Sequence, residues 1–412
     1  MSEMEKNREI GKVLPEKEPQ HNGYNFEANL WKSYLFQLFA GFHLISGVLL
    51  PFFLLWGKIT FIEIMLLQSY FTIMIVIFEI PCGAISDYIS RKFSLFLGGI
   101  ATAFAALIYS SFPSIFIFII GETIFALGFS LLSGTGEALI FDTLRKLGRE
   151  EEMSKIMAKN RSFFLAGLGI SAPIGSLIPL YFPINFVMAF MFFPFILAAL
   201  VSISLKEPNH DLERESSNYL TVVKSGFREL KKNSTLRVLA FDFVIIDVLI
   251  FLLIWTYQLY LDSLSVPLIF FGFVAASMTL TQIIFFNLVP KLKERFKKKR
   301  LFLLIYTLIP GIAYILIAFT EVTLIGIALI LLVIGVGFSR NIIFVGGINK
   351  NIEEENRATV LSTISMIRSF IITILYPIIG LLVMWNLRYT FIILGICIIL
   401  LALLSRVKNE HL

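Results

Sequence analysis

Charge is scarce in this sequence. Asp, Glu, Lys and Arg make up 16% of its 412 residues, against about 25% in soluble domains, which excludes a water-soluble enzyme. Cysteine is scarcer still: Cys82 and Cys397 both fall inside apolar runs, so a secreted domain stapled by disulfides is excluded. The four histidines (His21, His43, His210, His411) are scattered. The sequence contains no His-Glu-x-x-His metal motif and no Gly-x-x-x-x-Gly-Lys-Ser/Thr phosphate loop, so neither enzyme chemistry nor a cofactor nor a metal is expected. The first 30 residues are charged and lack the apolar core of a cleavable signal peptide.

Hydrocarbon is plentiful: 57% of residues are hydrophobic, 42 are Phe, and the mean hydropathy is +0.83. The apolar runs are continuous, which argues against a membrane β-barrel. At roughly 20 apolar residues per crossing, the pattern predicts an all-α polytopic membrane protein. Twelve transmembrane helices are expected at 33–55, 61–83, 93–111, 114–141, 162–180, 184–204, 238–258, 266–289, 301–319, 322–346, 358–384 and 388–405. The longest polar interruption divides them six and six. This gives an N-terminal tail (1–32), a first bundle (33–205), a linker (206–237) with an interfacial helix at Tyr219–Leu230, a second bundle (238–405) and a short tail (406–412).

Lysine and arginine crowd the loops on one side. Only Lys58 and Arg388 fall on the other, while Arg340 and Arg368 lie within spans. The positive-inside rule then places both termini in the cytoplasm of a cell that holds the chain in its inner or plasma membrane. The clusters at Arg145–Arg161 and Lys291–Arg300 suit anionic lipid and give no reason to expect a nucleic-acid partner.

Ionisable groups inside hydrocarbon mark pathways or structural pairs. Here they load every third span: His43 in span 1, Glu122 and Glu137 in span 4, Asp242 and Asp247 in span 7, Arg340 in span 10. Span 2 adds Glu79 and span 11 adds Arg368. That period is what three-helix repeats produce when the first helix of each faces a central cavity. By the helical rise, His43, Asp247 and Arg368 lie near mid-depth. Asp247, Glu122 and His43 are the candidate proton or ion carriers. For Asp247 the alternative is a structural pair with Arg368, and for His43 a packing role. Arg340, Arg368, Gln68, Trp255, Gln258, Gln282 and Asn341 are the candidate cavity and substrate contacts.

Between spans 2 and 3 stands Gly83-x-x-x-Asp87-x-x-x-Arg91-Lys92. Ser133-Gly-Thr-Gly-Glu-Ala-Leu-Ile-Phe-Asp142 closes span 4, and Arg357-Ala-Thr-Val-Leu-Ser362 opens span 11. With the topology, these stretches resemble the major facilitator superfamily, in a prokaryotic exporter-type branch, over residues 33–405. The resemblance implies two pseudo-twofold-related six-helix bundles working by alternating access. It makes Gly83, Asp87, Arg91, Lys92, Glu137 and Asp142 gating residues: Gly83 allows close helix approach, Asp87 caps the start of span 11 near Ala358, and Arg91 pairs with Asp142. The second-half counterpart of the loop, Pro290–Arg300, has lost the Gly and Asp, and Glu122 stands six residues before Gly128 where proton-coupled exporters resemble a pattern with Arg. Span 5 carries Gly169-Ile-Ser-Ala-Pro173-Ile-Gly175, a degenerate relative of an antiporter signature. The expected function is proton-coupled efflux of a small amphipathic compound by a monomer, the alternative an importer or facilitator of a small polar or anionic solute.

Overall fold

The computed structural model describes residues 26–208, 219–352 and 357–411. Most of the expected N-terminal tail, linker positions 209–218 and the last residue of the C-terminal tail lie outside the described residues, as do His21 and His210. Among the described residues, eleven helices are long and apolar enough to cross a membrane: α2 (Phe61–Tyr88), α3 (Arg91–Ser111), α4 (Ile115–Leu147), α5 (Glu150–Leu180), α6 (Asn185–Ile203), α7 (Ser234–Ser263), α8 (Leu268–Arg295), α9 (Lys299–Phe319), α10 (Thr323–Lys350), α11 (Thr359–Trp385) and α12 (Leu387–Leu404). The short break between α11 and α12 is marked by Asn386, whose side chain caps α12 through the Tyr389 N–H. A helix at Tyr219–Lys232 precedes α7 and packs on α11, where its Gly226 lies against Thr363.

The first crossing, α1, departs from the expected continuous helix. It is helical over Ala28–Ala40, breaks at Gly41–His43, and continues as a 3-10 turn (Leu44–Gly47), a short helical turn (Leu49–Pro51) and a wide π turn (Phe52–Trp56). Pro51 supplies no backbone N–H, and α5 approaches too closely for large side chains. A Cβ at Gly175 of α5 would overlap the Leu44 carbonyl oxygen, and one at Gly167 would overlap that of Leu38. Gly167, Ser171 and Gly175 thus form a small-residue stripe that lets two backbones touch in a setting where dispersion and close packing hold helices together. The helix also begins earlier than residue 33. Asn29 is fully buried, donating to Thr143 Oγ1 of α4 (3.0 Å) and to the Lys206 carbonyl (2.6 Å).

α4 bends where Gly134 takes φ +70°, a left-handed conformation open to glycine at no steric cost, and Gly148 at φ +66° closes the helix. Helices α1–α6 form one bundle, with α3 against α4 and α6. Helices α7–α12 form the other, with α9 against α10 and α12. The bundles meet along α2 with α11 and α5 with α8.

Candidate functional site

The bundle interface is asymmetric along its length. At the end away from the termini it is sealed. Gly47 and Ala172 abut Gly272, Ser176 Oγ donates to the Ile269 carbonyl (2.8 Å), Ser69 Oγ donates to the Thr373 carbonyl (2.9 Å), and Gly380 lies against Ile62 and Met65. Gln258, buried to 2% exposure, ties α7 to the broken part of α1: Oε1 accepts the Leu50 N–H (2.9 Å) and Nε2 donates to the Ser46 carbonyl (3.0 Å) and to the Tyr257 hydroxyl (2.9 Å). In hydrocarbon each backbone group needs a partner, and here the partner comes from the opposite bundle.

At the terminal end the bundles stand apart. In the last three turns of α2 only Cys82 and Ser86 are buried, both toward α4: Cys82 lies beside the Leu127 carbonyl, and Ser86 accepts from Thr135. Gly83 and Asp87 are exposed, and a Cβ at Gly83 would meet nothing within 4 Å. The close approach expected of Gly83 is therefore absent from this conformation; the α2–α11 contacts of Ser69 with Thr373 and of Ile62 and Met65 with Gly380 lie toward the sealed end.

The expected ion pair between Arg91 and Asp142 is present within the first bundle, and the same guanidinium donates to the Ala138 carbonyl at 2.6 Å. Glu207, just after α6, completes this cluster by accepting from the Arg91 N–H (2.6 Å) and from Ser90 Oγ, so an acid sits on the N-terminus of α3 where the helix dipole favours it. By sequence alone Glu207 belongs to the linker (206–237). Its only signal was an acid at the end of a span on the basic side of the chain. Glu137 is exposed and Lys92 half-buried.

The intramembrane charges sort into three groups. Glu122 of α4 is buried and accepts from Gln68 Nε2 of α2 at 2.9 Å, with the buried Tyr109 of α3 against the same carboxylate. Asp247 of α7 accepts from Arg368 Nε of α11 at 2.7 Å, and the Arg368 side chain is 30% exposed and lies over the Phe251 ring. Tyr376 lies within electrostatic reach of both Glu122 and Arg368 and meets Trp255 edge to face at 6.0 Å. The third group centres on Arg340 of α10, which is itself within electrostatic reach of Asp247. Arg340 donates to Asp242 (2.5 Å) and to Thr307 Oγ1 of α9 (2.8 Å), stacks on Phe344 and lines a cleft against α9 and α12. Its neighbour Asn341 is half-buried, as is Gln282. His43 sits at the break in α1 among the rings of Phe125, Phe164 and Phe195.

Two six-helix bundles, sealed together at one end and parted at the other around paired charges and aromatic rings, define a membrane transporter fold. The chain belongs to the Major Facilitator Superfamily, whose family model matches residues 33–374. Among solved structures it is similar to a variant of the nucleoside transporter NupG (15% identity, TM-score 0.76, covering 92% of this chain and 98% of that one). It is also similar to a bacterial homologue of the human lysosomal transporter Spinster in an inward-facing, unoccupied conformation (14%, TM-score 0.68, 92% and 95%) and to a D-xylose–proton symporter (11%, TM-score 0.70, 94% and 99%). At these identities the likeness shows the fold. No curated relative matches the chain. The protein is thus a multi-pass membrane transporter of this superfamily.

Proposed function

We propose that the chain is a proton-coupled exporter of small amphipathic compounds, acting as a monomer in the inner or plasma membrane with both termini in the cytoplasm. The lysine and arginine bias supports that orientation, which makes the conformation described above open to the cytoplasm. The observation that carries the proposal is Glu122. This carboxylate is enclosed by an amide and a phenol of the first bundle and lies within electrostatic reach of Tyr376 in the second, whereas Asp247 has a guanidinium partner. An acid held by neutral donors is suited to take up and release a proton as water reaches it from alternate sides. Tyr376 across the interface, Trp255 packed against it, and Phe251 beside Arg368 offer polarisable apolar wall to an amphipathic solute.

In this scheme the sealed end is the gate that opens to the outside, and Gly83 and Asp87 close against α11 when it does. The Arg91–Asp142–Glu207 cluster lies within one bundle and travels with it, holding the α2–α3 loop in shape. A second reading rests on Arg368, whose partly exposed guanidinium suits a small polar or anionic solute, and makes the chain an importer or facilitator.

Proteoliposomes with an imposed pH gradient test the coupling. The expected result is gradient-driven flux of at least one member of a panel of cationic and neutral lipophiles. If that panel is inert under a proton gradient while a sodium gradient drives flux, proton coupling is overturned. Anion flux that is lost in Arg368→Gln favours the second reading.

A further inference from the structure

Arg340 is 2% exposed, yet its Nη1 has no hydrogen-bond partner. Leaving part of a buried guanidinium unsatisfied is costly, so the group facing it has chemistry of its own. Arg340 lines a cleft with Asp242, Thr307 and Arg300, walled by Leu304 and Leu403 from α9 and α12. Thr307 and Asp242 already accept from other guanidinium nitrogens. The cleft lies at the terminal end, and Leu301, Leu403 and Leu404 around it are exposed hydrophobic side chains (46%, 58% and 74%), so the surface beside it is the one that meets lipid.

Two guanidinium groups and one carboxylate leave the cleft with one excess positive charge. Arg300 stands in the first turn of α9 with its backbone N–H held by Asn409 Oδ1 (2.8 Å) and its side chain exposed at the mouth of the cleft. A phosphodiester carries one negative charge and several acceptor oxygens, and guanidinium forks match that geometry. We propose that this cleft holds the headgroup phosphate of an anionic phospholipid from the leaflet on the terminal side, with Arg300 and Nη1 of Arg340 as donors and an acyl chain along Leu304 and Leu403. A zwitterionic choline lipid fits less well, because its trimethylammonium group adds a further positive charge beside the two arginines.

Native mass spectrometry of the full chain in detergent, titrated with phosphatidylglycerol or phosphatidylcholine, tests this site. The expected result is preferential retention of phosphatidylglycerol, with an apparent affinity about tenfold weaker in Arg300→Gln, a substitution at an exposed side chain. The double variant Asp242→Asn/Arg340→Gln keeps the buried charge balanced and is expected to lose the preference too. Equal retention of the two lipids, or unchanged phosphatidylglycerol retention in both variants, overturns the site. Inorganic phosphate that displaces phosphatidylglycerol at millimolar concentration overturns the lipid assignment and leaves a free-anion site.

Discussion

The Gln258 side-chain oxygen accepts the Leu50 backbone N–H at 2.9 Å, so a residue of the second bundle completes the backbone of an irregular crossing in the first. Its amide nitrogen does the same for the Ser46 carbonyl. Both bonds must break for the sealed end to open, which gives the gate an energy scale. At about 0.5–1.5 kcal/mol net per hydrogen bond, the two hold the seal by about 1–3 kcal/mol.

Gln258→Ala is therefore expected to raise the population open at the sealed end by about 5- to 150-fold. Maleimide labelling of a single cysteine at Met65, in a background without Cys82 and Cys397, reads that population from the side away from the termini. Labelling no faster than in the parent removes Gln258 from the gate.

Glu122→Gln preserves a side chain of the same shape beside Gln68 and cannot carry a proton. Gradient-driven accumulation is expected to vanish, while counterflow exchange of the same probe in proteoliposomes persists. Asp247→Asn can keep a hydrogen bond from the still-charged Arg368 guanidinium to its amide oxygen, and its exchange is likewise expected to persist. If Asp247→Asn alone abolishes accumulation, the proton-carrying role passes from Glu122 to Asp247.

Arg340 and Asp242 are buried together, their side chains 2% and 7% exposed. Removing one partner from such a pair strands a charge and costs about 3–5 kcal/mol, whereas replacing both can be nearly neutral. Arg340→Met and Asp242→Leu are each expected to lower the thermal denaturation midpoint clearly, and the double variant to lower it by less than the sum of the two. Additive losses would show that the residues do not act as a pair.

The α1–α5 contact offers a contrast between two glycines of one helix. Gly175→Ala drives a methyl into the Leu44 carbonyl, while Gly169→Ala meets only the Thr279 methyl group at 3.8 Å. The first is expected to destabilise the protein by a few kcal/mol and the second to leave the denaturation midpoint almost unmoved. Equal effects would contradict the close backbone packing described here.

Crossings and the division into two bundles were legible in the sequence because the spans are long apolar runs broken by charged loops on one side, short turns on the other and one long polar linker. The Arg91–Asp142 pair was legible for a similar reason, since both residues sit in motif stretches at the ends of adjoining helices. The break in α1 was not, because Gly41 and Pro51 lie in an unbroken apolar run and the groups that satisfy the freed backbone come from Gln258, more than 200 positions away in the chain. Arg340 was expected in the central cavity from its span and depth alone. Its contacts with Asp242, Thr307 and the α9–α12 cleft are set by packing between distant segments, which span and depth do not carry. Tyr376 carried no signal, being one aromatic among many.

The central claim is that the two bundles rock about the interface, closing one end as they open the other. Pulsed electron–electron double resonance in lipid nanodiscs measures it directly, with spin labels at the exposed Ile80 and Leu361 for the terminal end and at the exposed Phe112 and Trp385 for the sealed end. Between mildly acidic and mildly alkaline pH, and on adding Gln258→Ala, the terminal-end distance is expected to shorten in the same population in which the sealed-end distance lengthens. Distances that stay single and unmoved at both ends, in every condition, would contradict it.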